Sequence, residues 1–334
     1  MATYELESTP LALFTIDFLL TILYFPAKAS LVTTPKLLIL GSLGQVGWDL
    51  QSTLQGLGEI TAWDIAELDL GDATQVRRKV VEVRPSVIVN AAAYTNVDGA
   101  EEQAELARKI NVTVPGELAR LSAELGSLFL HYSTDYVFNG RSTTPYREDD
   151  ATDPLGAYGK TKLEGEQAVT AAGGWSRTLR TSWVYSSRAK NFLRTIVSAA
   201  AAGKPLRVVN DQHGVPTWST WLALATAHII RSELSHPTRK PALYHVTGSG
   251  PTTWFEFASA IVEELRPAGL QCPAPEPIAS DTFPTKTKRP QFSVLSCEKL
   301  RKDYGLTAPH WRETLRLALR GQRLESLVYG AEKK

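Results

Sequence analysis

Lys36-Leu-Leu-Ile-Leu-Gly-Ser-Leu-Gly-Gln-Val-Gly47 is the stretch on which the reading of this chain turns. A short aliphatic run with no polar alternation reads as a strand buried on both faces, the kind that a parallel sheet covered by helices requires. Gly41, Gly44 and Gly47 then follow at intervals of three and open a helix. In that context glycines let backbone N–H groups approach a pyrophosphate and leave it at a helix N-terminus. The spacing is Gly-x-x-Gly-x-x-Gly and not Gly-x-Gly-x-x-Gly, so a tight strand-to-helix turn without a ligand is the competing reading. Its place at the first strand favours a nucleotide.

Outward from this turn the chain alternates β-rich apolar runs with amphipathic segments. Strands are expected at Lys36 to Leu40, Glu59 to Trp63, Ser86 to Asn90, Ser127 to Ser133 and Thr178 to Val184. Helical segments are expected at Ala73 to Val83, Thr113 to Leu125 and Ala157 to Ala172, each long enough for a right-handed crossover. The fold class is α/β, a Rossmann-like doubly wound parallel sheet with a smaller C-terminal substrate-binding lobe. Residues 36–184 form the nucleotide-binding domain and 185–330 mainly the lobe, with segments near 218–246 returning to the main sheet. The lobe is marked by weaker periodicity and by the proline-rich Cys272-Pro-Ala-Pro-Glu-Pro277. In such a fold the ligand lies beyond the carboxyl ends of the strands, where a lobe can close over it.

Composition narrows the class of function. The 334 residues are 43% hydrophobic, enough for an ordinary core. The 36 basic and 35 acidic residues nearly cancel, which excludes the bulk positive field that holds nucleic acid. Cys272 and Cys297, far apart and without histidine at ligand spacing, imply neither a disulfide framework nor a zinc site. No carboxylate cluster calls for a divalent ion, so no metal is expected, and a cytoplasmic location fits. Residues 1–35 form an atypical extension in which Leu11 to Phe25 is strongly apolar. That run is short for a membrane span and contains Asp17, and Glu5 and Glu7 precede it where a signal peptide carries Lys or Arg. Two readings stay open: a native start near Val32, or an extension that contacts a membrane.

Three further segments carry chemistry. Asp64 ends the second strand, where a carboxylate accepts hydrogen bonds from ribose hydroxyls and repels a 2′-phosphate, favouring NADH over NADPH. A solvated strand-end aspartate is the alternative. Asp69 and Leu70 are placed to cover an adenine, and Ala91-Ala92-Ala93-Tyr94-Thr95 offers small residues where a dinucleotide passes close to the backbone. Tyr158 and Lys162 share one face of a helix. A phenol has a pKa near ~10 and is a weak acid at neutral pH, so an adjacent ammonium would make it a better one. Lys162 is also placed to bind the nicotinamide ribose. Thr134, ending the fourth strand, can donate its hydroxyl to a substrate carbonyl. A bare Tyr-x-x-x-Lys is often an exposed helix pair, but behind a glycine-rich turn it points to a nicotinamide-dependent carbonyl reductase.

Residues 36 to about 320 resemble the dTDP-4-dehydrorhamnose reductase family of extended short-chain dehydrogenase/reductases. The matching stretches are Gly41 to Trp48, Val89 to Ala93, His131-Tyr-Ser-Thr-Asp-Tyr-Val-Phe138, Tyr158-Gly-Lys-Thr-Lys-Leu-Glu-Gly-Glu166, Arg180 to Tyr185, Asn210 to Thr217 and Arg289 to Ser293. The resemblance implies that Gly44, Gln45, Val46, Asp64, Asp69, Leu70, Ala93, Tyr94, Thr95 and Tyr132 touch NADH or NADPH together with Tyr158 and Lys162. It implies that Thr134, Asp135 and Trp183 face a dTDP-4-keto-6-deoxysugar. Trp183 could equally be a core residue; at a cleft its ring would pack on the apolar face of the sugar. The implied reaction is reduction of dTDP-4-dehydro-β-L-rhamnose at C4, the last step of dTDP-rhamnose synthesis, by a homodimer. Two alternatives accompany it: a reductase of another dTDP-4-keto sugar, and a non-catalytic subunit similar to the regulatory subunit of methionine adenosyltransferase. The extension before Lys36 departs from the family pattern.

Overall fold

Strand β1 (Lys36–Leu40) divides its side chains between two cores, which is why no polar residue interrupts it. Successive strand residues point to opposite faces. Leu37 and Ile39 pack with Leu50, Leu222, Ile229 and Ile230 on one side, and Leu38 and Leu40 with Val76, Val80, Leu118 and Leu121 on the other. The computed structural model describes residues 34–329 apart from 271, 284, 321 and 323; the Leu11 to Phe25 run and the alternative start near Val32 lie outside them.

From β1 the chain enters α1 (Gln45–Thr53), β2 (Glu59–Trp63), α2 (Ala73–Val83) and β3 (Val87–Asn90). Asp72 caps α2 by accepting the Gln75 N–H at 2.9 Å, and Arg84 ends it in the left-handed region at a φ of 49°. A π-helical turn, Lys109–Thr113, then leads into α3 (Val114–Leu125), which is followed by β4 (Leu128–Thr134), α4 (Ala157–Ala171) and β5 (Ser176–Thr181). Next come α5 (Phe192–Ala201), α6 (Ser219–Ser235), β6 (Ala242–His245), α7 (Trp254–Leu265), α8 (Glu298–Tyr304) and α9 (Trp311–Leu319).

The six strands pair in the order β6-β5-β4-β3-β1-β2, every pair parallel. The order reverses between β1 and β3, and at such a switch point the loops diverge and leave a crevice at the carboxyl edge. The chain beyond 185 re-enters this sheet through β6, with α6 leading into it. A separate core is built from Leu193, Ile196 and Val197 of α5, Phe257 and Ile261 of α7, and Trp311 of α9.

The expected fifth strand is corrected at its end. It stops at Thr181 because Trp183 takes a φ of 45°, a left-handed conformation that cannot continue a ladder. Val184 and Tyr185 pair instead with Thr217 and Trp218.

The far side of the sheet is fixed by a buried ion pair. Arg177 on β5 donates from Nε to Glu233 of α6 at 3.0 Å, while Trp175 Nε1 and the Tyr304 hydroxyl donate to the same carboxylate at 2.7 and 2.6 Å. Glu233→Ala would leave a buried guanidinium without its counter-charge, which costs about 3–5 kcal/mol. We expect a correspondingly lower urea midpoint for Glu233→Ala at unchanged slope. Glu124→Ala, which breaks the exposed pair with Arg77, should leave the midpoint where it was.

Candidate active site

The glycine-rich turn is shaped by contacts that exclude side chains. Gly41 has a φ of +77°, and a Cβ there would meet Ala92 N at 2.7 Å. A Cβ on Gly47 would meet the Gly41 carbonyl oxygen at 2.0 Å. Gly44 sits at the N-cap of α1, and no side chain caps that terminus, so its leading N–H groups are available to an anion. Gln45, Val46 and Gly47 form the first turn of α1.

Asp64 is tied into the same turn. Its Oδ2 accepts the Leu43 N–H at 2.8 Å and its Oδ1 accepts the Ile65 N–H at 2.9 Å. Each oxygen keeps a further lone pair for a hydroxyl. Beside it lies a cavity of about 170 Å³ lined by Gly41, Asp64, Asp69, Leu70, Ala92 and Ala93, all six expected from the sequence. Trp63, Ile65 and Ile110 also line it; Trp63 was read only as the end of a strand, and no motif marked Ile65 or Ile110. Gly41 and Asp64 thus join this small, partly apolar cavity to the uncapped N-terminus of α1.

Tyr94 and Thr95 follow in the loop after β3. Asn111, in the π-helical turn, accepts the Tyr94 N–H at 2.9 Å and donates to the Tyr94 carbonyl at 3.1 Å and to Thr161 at 3.2 Å. Its role was not read from the sequence, although a π-turn at this place is a recurrent mark of functional sites.

The reacting groups meet at the carboxyl ends of β4 and β5. Thr134 ends β4, donates its hydroxyl to Asp135 Oδ1 at 3.0 Å and accepts the Tyr136 N–H at 3.2 Å. Tyr158, in the first turn of α4, lies edge-on to Tyr136 with ring centroids 5.6 Å apart. Burial raises Tyr158 well above the ordinary phenol range, and what opposes this is a hydrogen bond with Thr134.

Lys162, expected beside this phenol, makes its hydrogen bonds to β4. Lys162 Nζ donates to the Tyr132 carbonyl at 2.6 Å and lies 3.4 Å from His131 Nε2. A backbone acceptor on β4 is the nearer partner for a lysine on the sheet-facing side of α4. Burial pulls Lys162 down to about 8, with Glu166 pulling the other way. The Tyr132 hydroxyl is engaged with Thr226 of α6 at 2.7 Å.

Asp135 is 1% exposed; burial pushes its carboxyl up to about 6 against hydrogen bonds from Ser293 and Thr134. Asp135 Oδ2, Ser133 Oγ, Thr181 Oγ1 and Arg289 Nε have no hydrogen-bond partner among the described residues. Arg289 reaches Asp98 at 3.2 Å; it opens the Arg289 to Ser293 stretch, yet nothing in its spacing marked it as a site residue. Trp183 is half-buried and stacks on Trp254 at 3.6 Å with planes 7° apart, over Gly214. Trp254 is packed in turn by Phe192 at 4.5 Å. Next to this aromatic wall, a cleft of about 970 Å³ extends from Leu43 past Asn191 and carries Arg188, Lys190, Arg194 and Lys204. Among the described residues no His, Cys, Asp or Glu cluster could hold a metal ion, and no helix is long and apolar enough to cross a membrane.

The glycine-rich turn thus borders both cavities, through Gly41 the small one and through Leu43 the cationic cleft, while Thr134 and Tyr158 lie at the carboxyl end of β4 and the start of α4. Comparison with known proteins agrees. The family model described as the RmlD substrate binding domain matches residues 35–323. The chain is 41% identical over 292 residues to a dTDP-4-dehydrorhamnose reductase of Burkholderia thailandensis, covering 85% of this chain and 98% of that protein. It is 41% identical over 283 residues to one of Escherichia coli, covering 83% and 94%. Among solved structures, a dTDP-4-dehydrorhamnose reductase of Bacillus anthracis in complex with NADP superposes with a TM-score of 0.81 at 32% identity, over 87% of this chain and 100% of that one. A UDP-glucose 4-epimerase of Thermus thermophilus, at 21% identity and a TM-score of 0.71, shares the fold.

The Gly47 contact yields a direct test. Gly47→Ala must push the Gly41 carbonyl away from 2.0 Å, opening the turn. Amide hydrogen exchange at residues 41–47 is expected to quicken at least ~10-fold, while the amides of β4 and β5 keep their protection.

Proposed function

We propose that this chain, which belongs to the RmlD family of dTDP-4-dehydrorhamnose reductases, reduces dTDP-4-dehydro-β-L-rhamnose at C4 to dTDP-β-L-rhamnose with NADH or NADPH as reductant. The observation that carries this reading is the contact of Tyr158 with Thr134 at the carboxyl end of β4, in a chain alike along its length to enzymes of that name. The turn Gly41 to Gly47, Asp64, Asp69, Leu70, Ala92, Ala93, Tyr94 and Thr95 would hold the cofactor. When bound, it supplies the hydride that C4 receives.

The chain's own residues do the rest. Thr134 offers its hydroxyl to the ketone oxygen, exchanging the Asp135 carboxylate for the substrate. Tyr158 gives its proton to the forming alkoxide. A phenol raised by burial stays protonated at neutral pH, and an alkoxide is a stronger base than a phenolate, so the transfer needs no ammonium in contact with the ring. Lys162, held on the Tyr132 carbonyl, orients the nicotinamide ribose. The Asp135 carboxyl would take a sugar hydroxyl on its unpartnered Oδ2, and Trp183 would pack on the apolar face of the deoxysugar. Residues 185–330 accordingly serve mainly as the substrate lobe. We place the reaction in the cytoplasm and expect a homodimer.

Two measurements test this. Tyr158→Phe is expected to lower turnover of dTDP-4-dehydrorhamnose by about 10²–10⁴-fold while cofactor affinity stays within a few-fold; unchanged turnover sinks the assignment. Side-by-side assays should show NADH preferred over NADPH, with Asp64→Asn narrowing the gap because it removes the charge opposed to a 2′-phosphate.

A further inference from the structure

Asn90 and His131 stand opposite each other in the β3–β4 register, each 1% exposed, and the reduction of the keto sugar does not use them. The role inferred for them depends on Lys162 being part of the reductase site. Asn90 Oδ1 accepts the Ala92 N–H at 3.2 Å, which fixes the amide with its nitrogen toward His131. That Nδ2 lies 3.2 Å from His131 Nδ1. An amide nitrogen has only hydrogens to offer, so Nδ1 accepts and the proton of a neutral imidazole sits on Nε2. Burial and the Lys162 charge keep His131 neutral by lowering it far below its ordinary range.

His131 Nε2 faces Lys162 Nζ at 3.4 Å, and Lys162 is 2% exposed. An ammonium has only hydrogens to present to a ring N–H, whereas an amine presents a lone pair. We propose that Asn90 and His131 are positioning residues that keep a ring N–H aimed at Lys162, loosening its proton so that the lysine titrates close to working pH.

The other groups around Lys162 act in known directions. Tyr158 and Glu166 share its helix, and the Tyr132 carbonyl on β4 favours the ammonium. Glu166 does so too, but its carboxylate is largely committed to Arg180 of β5 at 2.9 and 2.7 Å. The ring N–H of His131 is therefore the directed contact that favours the amine. Phe129 lies parallel to the imidazole, with centroids 6.2 Å apart, and helps hold that aim.

The test is a pH titration of the full chain carrying ¹³C at lysine Cε, with the Lys162 signal assigned by its loss in Lys162→Arg. The parent midpoint is expected well below the free-lysine value of about 10.4. His131→Gln replaces the donor by an amide oxygen, and His131→Asn withdraws it; each should raise the midpoint by about one unit. Asn90→Asp reverses the imidazole tautomer and should raise it too, but by less when His131→Gln is already present, since both act through one contact. The alkaline limb of kcat/KM should move with the midpoint. A parent value near that of free lysine, midpoints unmoved in both His131 variants, or fully additive shifts would overturn the proposal. Absence of turnover with the keto sugar would sink the functional reading and leave the titration to decide this one.

Discussion

One backbone approach organises the carboxyl edge of the sheet: Gly41, just after β1, lies so near Ala92, in the loop after β3, that no Cβ fits between them. The same carbonyl of Gly41 leaves no room for a Cβ on Gly47. The two contacts set the entry angle of α1, and through it the direction of its uncapped N–H groups. They also bring Ala92 to where its own N–H reaches back to Asn90, so the polar chain from Asn90 through His131 to Lys162 begins at the strand end that the glycine admits. The glycine-rich turn and the polar chain that reaches Lys162 thus both start from one tight crossing at the topological switch point.

Much of this was legible because it is written in local patterns. The aliphatic run of β1 and the bounds of β2 and α2 agree with the expected residues, since strand period, cap and glycine are short-range signals. The six expected residues that line the small cavity lie in the glycine-rich turn and in the segments that follow β2 and β3, within reach of the same short-range signals. What could not be read is long-range. Nothing near Trp183 in sequence announces that Trp254 will stack on it or that its backbone will turn left-handed. Asn111 looks like any helical asparagine until its amide is seen bracing Tyr94. Spacing correctly put Tyr158 and Lys162 on one helix. It could not show that a carbonyl of the facing strand captures the ammonium.

Several departures from local rules lie at the carboxyl edge of β4 and β5. A left-handed tryptophan costs on the order of 1–3 kcal/mol, and an aromatic stack returns about 0.5–1.5, so the Trp183–Trp254 contact offsets only part of the strain. Buried oxygens without partners at Ser133, Asp135 and Thr181 add about 1–3 kcal/mol each. On the opposite side of the sheet the polar groups around Arg177 and Glu233 have their partners. A ligand bearing hydroxyls and an apolar face would regain that hydrogen bonding and cover the stacked rings. Free energy spent at the carboxyl edge of β4 and β5 would then reappear as differential affinity for such a ligand over one that lacks either feature.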